Sequence, residues 1–252
     1  MILDDIVRAA GERLAGLDQP KAAETGGMPH RSLEAAILSC RERHAIIAEV
    51  KYASPSRGRI HDGATPAAIA REFADAGAVA LSVLTEPTYF GGSLENLARV
   101  RGAVSLPILR KDFIIDERQV AETRAFGADA VLLIARLLGD RLSAFVDAAL
   151  EIGLEPLVEV HNRGEMERAL ATGANLIGIN NRNLETMTVD LSTTVRLARA
   201  ARDAGRTVVS ESGIAWPYDV RRLSRHCDAF LIGSALMSAK DRQKRLEGFV
   251  FA

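Results

Sequence analysis

Five charged side chains fall where short apolar, β-rich runs end: Glu49 and Lys51 in "AIIAEVK", Lys111 in "LPILRK", Glu159 in "EPLVEV" and Glu211 in "RTVVSE". A strand sends alternate side chains to opposite faces, so Glu49 and Lys51 leave on the same face. The same alternation puts Lys111 with Leu109, Glu159 with Leu157 and Glu211 with Val209. One charge at a strand end is ordinarily a solvated boundary residue. Three glutamates and two lysines converging on one mouth are different, because burying them is costly unless they pair. Such a set is suited to general acid–base work. A lysine kept protonated beside glutamates can give a proton to a developing alkoxide or a departing hydroxyl, and a glutamate can take one elsewhere in the same turnover. Another run, "NLIGIN", ends in Asn180-Asn181-Arg182 and adds polar donors to the set.

Two further groups accompany the charges. "SESGI" and "LIGSALM" carry Ser212, Gly213, Gly233 and Ser234. Glycines there let backbone N–H groups approach a ligand, and the serines add hydroxyl donors, a combination that suits an anion such as phosphate. Apolar side chains follow the same strand ends: Phe90 in "LTEPTYFGGS", Phe113 in "RKDF", and Leu184 and Met187 after "GINNRN". These either pack their own loops or flank a flat aromatic ligand.

The elements that must position these residues are legible as a repeat. Apolar, β-rich runs occupy 45–50, 78–85, 106–111, 129–135, 155–160, 175–180, 206–211 and 228–233, and helical periodicity follows them. "TPAAIAREFADAGA" opens with Thr65 as a cap and Pro66 at the first helical position. Several helical stretches close in Ala-Gly-Ala, Phe-Gly-Ala or Thr-Gly-Ala, where glycine can take the left-handed conformation that ends a helix. Eight strand–helix units in about 250 residues predict an α/β fold of the (β/α)8 TIM-barrel type. A doubly wound sheet normally shows a Gly-rich fingerprint after its first strand; "KYASPSRG" has one glycine there. In such a barrel the active site lies at the C-terminal strand ends, where all five charges fall, and the loops after strands seven and eight commonly hold phosphate. The chain is read as a single barrel domain over 1–252, with an N-terminal helical extension over 1–44 and the barrel proper from residue 45. Within the extension, "ILDDIVRAAGERLAGL" and "RSLEAAILSCRER" read as helices, and "DQPKAAETGGMPH" as a turn-rich connector.

Composition narrows the class. A formal net charge of -1 points to no nucleic-acid or membrane-surface partner. Cys40 and Cys227 stand far apart, and the five histidines are scattered, so neither a disulfide nor a metal site is expected. No apolar run approaches the roughly 20 residues of a membrane span, and the amphipathic, acidic start is unlike a signal peptide. The expectation is a cytoplasmic protein, a monomer or weak homodimer, acting on a small phosphorylated molecule.

The stretches "IIAEVKYASPSRG", "SVLTEPTYFGGSLENL", "ILRKDFIID", "LVEVHNRGEMERAL", "IGINNRNLETM", "SESGI" and "FLIGSALM" occur in one order in which the sequence resembles the indole-3-glycerol phosphate synthases along nearly its whole length. The resemblance implies closure of the indole ring of 1-(2-carboxyphenylamino)-1-deoxyribulose 5-phosphate, with release of CO₂ and water and no cofactor or metal. It implies a catalytic set of Glu49, Lys51, Lys111, Glu159, Asn180, Glu211 and Ser212, and substrate contacts from Ser54, Phe90, Phe113, Arg182, Leu184, Gly213, Gly233 and Ser234. By the family pattern Lys111 is the general acid of ring closure and Glu159 the base of dehydration. Lys51 is the acid of that second step or a binding residue, with Glu49 turned toward it. Asn180, Arg182 and Glu211 position the ligand's hydroxyls and charges, and the Gly-Ser turns take the phosphate. One position departs: the residue after Lys51 is often basic in the family and is Tyr52 here, turned away from Lys51 by alternation. Two rivals are weighed. A phosphoribosylanthranilate isomerase relies on a cysteine and an aspartate at the mouth, and neither cysteine here falls at a strand end. A non-catalytic phosphate binder on the same fold needs the Gly-Ser turns but not Lys111 and Glu159.

Overall fold

Eight parallel strands close into a barrel in the computed structural model, which describes residues 2–14, 30–54, 58–59 and 63–252. The strands are β1 (Ala45–Val50), β2 (Ala80–Leu84), β3 (Ile108–Lys111), β4 (Ala130–Ile134), β5 (Glu155–Val160), β6 (Leu176–Asn180), β7 (Thr207–Glu211) and β8 (Ala229–Ile232). Each pairs with its neighbours in chain order, and β1 closes the ring by pairing with both β2 and β8. Both faces of these strands are buried, which is why they read as apolar runs rather than as an apolar/polar alternation. Ile47, Leu109, Leu132, Leu157, Val209 and Leu231 fill the interior. Ile46, Ala48, Leu81, Val131, Val158 and Ile177 face outward beneath the helices.

The helices form where the capping chemistry allows. In α3 (Pro66–Asp75) the Thr65 side chain accepts from the N–H of Ala68, as its sequence position predicts. Ser93 does the same for the helix Leu94–Arg101. Of the three Gly-Ala endings, Gly77 and Gly127 adopt positive φ, whereas Gly173 does not. That third ending turns instead through a Thr172 hydroxyl that bonds Ala169 O and accepts from the N–H of Ala174.

The N-terminal region divides between the two ends of the barrel. At the N-terminal strand ends, α2 (Leu33–Ser39) is seated on Glu155, the first residue of β5. The N–H groups of Leu33 and Glu34 donate to Glu155 Oε2 at 2.6 and 3.0 Å, and Thr207 Oγ1 donates to Glu34 at 2.9 Å. Leu33 and Ile37 complete the interior core there. A carboxylate at a helix N-terminus satisfies orphan donors and complements the dipole, so α2 is fixed as a stopper. At the opposite end, α1 (Ile2–Leu14) buries Ile6, Ala10 and Leu14, one helical face, and Ile6 joins the interior cluster that contains Phe113. Arg13 reaches Asp112, just beyond β3, at 3.2 Å. The connector predicted over 18–30 lies almost entirely outside the described residues.

Candidate active site

Strand alternation delivers the charged residues to one end of the barrel, above the last layer of aliphatic side chains. Glu49 pairs in register with Ser82, Lys111 with Leu84, Glu159 with Ile134 and Gly178, and Glu211 with Asn180. Lys111 Nζ donates to Glu159 Oε2 at 3.2 Å and to Glu211 Oε2 at 3.3 Å. Lys51 Nζ lies 2.6 Å from Glu49 Oε1. All three carboxylates are buried. Two glycines make the room: a Cβ on Gly178 would stand 2.0 Å from Glu211 Oε1, and one on Gly233 would stand 2.1 Å from Glu49 Oε1.

The electrostatics follow from crowding three carboxylates around two ammonium groups. Burial works to lower the Lys111 ammonium, but Glu159, Glu211 and Glu49 outweigh it and leave it firmly protonated. Burial would raise Glu159, yet Lys111, His161 and a hydrogen bond from Asn180 hold it below the usual carboxylate range. Glu211 receives less compensation. Burial pushes it up, Lys111 pulls it down, and the charges of Glu159 and Glu49 leave it at about 7. Its Oε1 is buried with no protein partner.

Above the charges opens a cavity of about 350 Å³. One wall is apolar: Phe90 and Phe113, with ring centroids 6.2 Å apart and planes 34° apart, together with Ile6 and Leu184. Glu86 fixes Phe90, since its carboxylate accepts from the N–H groups of Thr88, Tyr89 and Phe90. The other wall holds Ser212, Gly213, Gly233 and Ser234. Ser212 has φ 65° and Gly213 φ 81°, a backbone turn that non-glycine residues adopt only at a cost. Asn181 clamps this turn from outside, donating through Nδ2 to Ser210 Oγ, Glu211 O and Ser212 O.

The sequence matches the family model described as "Indole-3-glycerol phosphate synthase" over residues 5–249. The chain belongs to the indole-3-glycerol phosphate synthase family. Among its relatives of that name, the protein of Aquifex aeolicus is 48% identical over 217 residues, covering 85% of this chain and 83% of its own. That of Carboxydothermus hydrogenoformans is 44% identical over 248 residues, covering 96% and 94%. A thiamine phosphate pyrophosphorylase from Pyrococcus furiosus superposes with a TM-score of 0.61 at 17% identity, covering 82% of this chain and 93% of that one, a likeness of fold alone.

The residues that the indole-3-glycerol phosphate synthase resemblance singles out come together with one exception. Glu49, Lys51, Lys111, Glu159, Asn180, Glu211, Ser212, Phe90, Phe113, Arg182, Leu184, Gly213, Gly233 and Ser234 all line the cavity. Ser54 is placed in a two-residue strand, but its side chain lies outside the described residues. Tyr52 turns outward, as alternation predicts, and donates to Ala64 O at 3.1 Å. Among the described residues no group of His, Cys, Asp and Glu has the arrangement of a metal site, and no helix is long and apolar enough to cross a membrane. Cys227 is buried, Cys40 is half-buried, and both are free. Sequence reasoning missed Asp112, Leu132, Ile134 and Leu231 as lining residues, although period-two counting marks the last three as inward. It also missed His161, which approaches Glu159 Oε1 to 3.4 Å.

Proposed function

We infer that this chain converts 1-(2-carboxyphenylamino)-1-deoxyribulose 5-phosphate to indole-3-glycerol phosphate. The observation that carries the reading is Lys111, a protonated lysine held between two buried glutamates at the floor of a cavity with one aromatic and one Gly-Ser wall. The substrate has the matching parts: an anthranilate ring for Phe90 and Phe113, a phosphate for the turns at Ser212–Gly213 and Gly233–Ser234, and a ketone between them.

In the proposed reaction the ring carbon bearing the carboxylate attacks the ketone carbon. Lys111 donates its proton to the carbonyl oxygen, which becomes a hydroxyl, and loss of CO₂ restores the aromatic ring. Dehydration then needs a base and an acid. Glu159, kept ionised by its neighbours, takes a proton from the adjacent methylene carbon. Lys51, oriented by Glu49, protonates the departing hydroxyl. Asn180, Arg182 and Glu211 hold the sugar hydroxyls and the ring carboxylate.

The test is a fluorescence assay for indole formed from the carboxyphenylamino-deoxyribulose phosphate. Lys111→Ala is expected to lower kcat by about 10²–10⁴-fold while ligand still binds. A chain that makes no indole product, or a Lys111→Ala variant with most of its kcat, sinks the assignment.

A further inference from the structure

His161 stands just past the end of β5 and is not among the residues that line the cavity, yet it is built into the catalytic floor. Its Nδ1 lies 3.0 Å from Glu165 Oε2, and its own backbone N–H donates to the same oxygen at 2.7 Å. Glu165, on the helix Arg163–Leu170, is held in turn by Asn162 Nδ2 at 2.7 Å from its other oxygen. The Nε2 of His161 is 3.4 Å from Glu159 Oε1, the oxygen that Lys111 does not use. Nε2 is buried and has no hydrogen-bond partner.

This geometry restricts where protons sit. Glu165 Oε2 already accepts a backbone N–H, so it is an acceptor toward Nδ1, and Nδ1 carries a proton. Nε2 then either bears the ring's second proton, 3.4 Å from Glu159 Oε1, or sets a lone pair beside a carboxylate oxygen in a site closed to water. The first arrangement is attractive and the second repulsive, and low dielectric magnifies both. The charges that face the ring are Glu159 near the end of β5, Glu165 from the helix Arg163–Leu170 and Glu211 from β7, with Lys111 on the far side of Glu159. Burial disfavours the imidazolium, but the Glu165 hydrogen bond and these carboxylates hold it above its ordinary range.

We propose that His161 is a positioning residue: gripped by Glu165, it steadies Oε1 of Glu159 and supplies the second positive charge that keeps that carboxylate ionised for dehydration. Glu159 is thus flanked at both oxygens by a positive group, Lys111 on one side and His161 on the other. This rests on the reading of Glu159 as the base.

The test begins with Glu159→Gln. If that variant still turns over, the base assignment falls and this proposal with it. With Glu159→Gln inactive, His161→Asn, which can still donate to Glu165 but carries no charge, and His161→Gln are assayed from pH 4 to 8. Removing a positive charge at this distance is expected to move the acid limb of kcat upward by about one pH unit. The deficit relative to the parent chain therefore deepens toward low pH and levels off at about tenfold, while KM changes little. Glu165→Gln is expected to move the limb the same way by less. NMR titration of the His161 ring needs no turnover, and its midpoint is expected to fall by about one unit in Glu159→Gln. A pH-independent loss of kcat or a lowered Tm with the acid limb unmoved, or a ring midpoint unchanged in Glu159→Gln, overturns the proposal.

Discussion

Replacing Gly178 with alanine isolates the placement of Glu211 without touching an ionisable group. Gly178 faces inward on β6, and its φ is not in the left-handed region, so alanine is acceptable to the backbone. The added Cβ would meet Glu211 Oε1 at 2.0 Å, Glu211 Cδ at 3.1 Å and Leu157 Cδ1 at 3.5 Å. An ordinary carbon–oxygen contact is about 3.3 Å, so the carboxylate must retreat by roughly 1 Å or rotate. Either movement disturbs the 3.3 Å bond from Lys111 to Glu211, and with it the ammonium that also bonds Glu159 at 3.2 Å. A misplacement of about 1 Å at a catalytic constellation costs on the order of 10²-fold in rate. Overpacking of a tight interior costs about 1–3 kcal/mol, which for a chain of this size lowers Tm by several degrees. The measurement is kcat, KM and Tm for Gly178→Ala beside Gly248→Ala. Gly248 lies in the outer helix Arg242–Val250, and its Cβ would meet only Pro217 Cγ, at an ordinary 3.7 Å. The control should gain about 0.5–1 kcal/mol from helix propensity. A Gly178→Ala variant with kcat within twofold of the parent would refute the claim that glycine is there to seat Glu211.

The raised Glu211 carboxyl has a stability signature. Between the ordinary carboxylate range and about 7 the folded chain holds a proton that the unfolded chain releases, so this contribution is full at low pH and lost as pH rises through about 7. Glu211→Gln cannot titrate, so its urea midpoint relative to the parent should improve from pH 5 to pH 8; a constant difference would remove Glu211 as the source. Deleting residues 1–28 takes away α1 with Ile6 and Arg13 but spares Ser32 and α2, so the barrel should stay folded with KM raised on the order of tenfold. Outright unfolding, or unchanged kinetics, would return α1 to a purely structural role. Crystals grown in sulfate or phosphate should show an anion within hydrogen-bond reach of the N–H groups of Gly213 and Ser234, and one bound only at the opposite rim would refute that cradle.

The fold was legible because its period is physical. Strands buried on both faces read as apolar runs, and β1 and β5 match their predicted ranges, 45–50 and 155–160. The charges that interrupt those runs were legible for the same reason, since an ion in an otherwise dry strand needs a purpose. The other predicted runs are one to three residues longer than their strands, as at 78–85 against Ala80–Leu84, because apolar residues continue past the last ladder bond. Contacts that join elements far apart in sequence left no local signal. Nothing in "RSLEAAILSC" announces that α2 would sit on Glu155, or that Ile6 would reach a cavity whose other members begin at residue 49. His161 was hidden differently. A histidine two places after a strand-end glutamate falls on the same face by alternation, but its role depends on Glu165, one helical turn further on, which period-two counting does not see.

The charge count of the floor bears on how the proposed reaction turns over. Glu49 and Lys51 neutralise each other at 2.6 Å, which leaves Lys111 shared between Glu159 and Glu211. The charge of His161 is matched by Glu165, and one ammonium cannot compensate two further carboxylates, so burial first, and then the charges of Glu159 and Glu49, push Glu211 to about 7. Near neutral pH the floor therefore holds a fractional extra proton beside the lysine that acts first. The chemistry has a use for it. When an ionised carboxylate leaves as CO₂ and a hydroxyl leaves as water, the reaction takes up one proton per turnover. In the proposed reaction Lys111 gives its proton to the ketone oxygen, and the neighbour bonded to it at 3.3 Å is the group best placed to return one before the next substrate arrives. A fully neutralised floor, with a second lysine opposite Glu211, would be the more stable arrangement, and it would have no proton held near the working pH to give back.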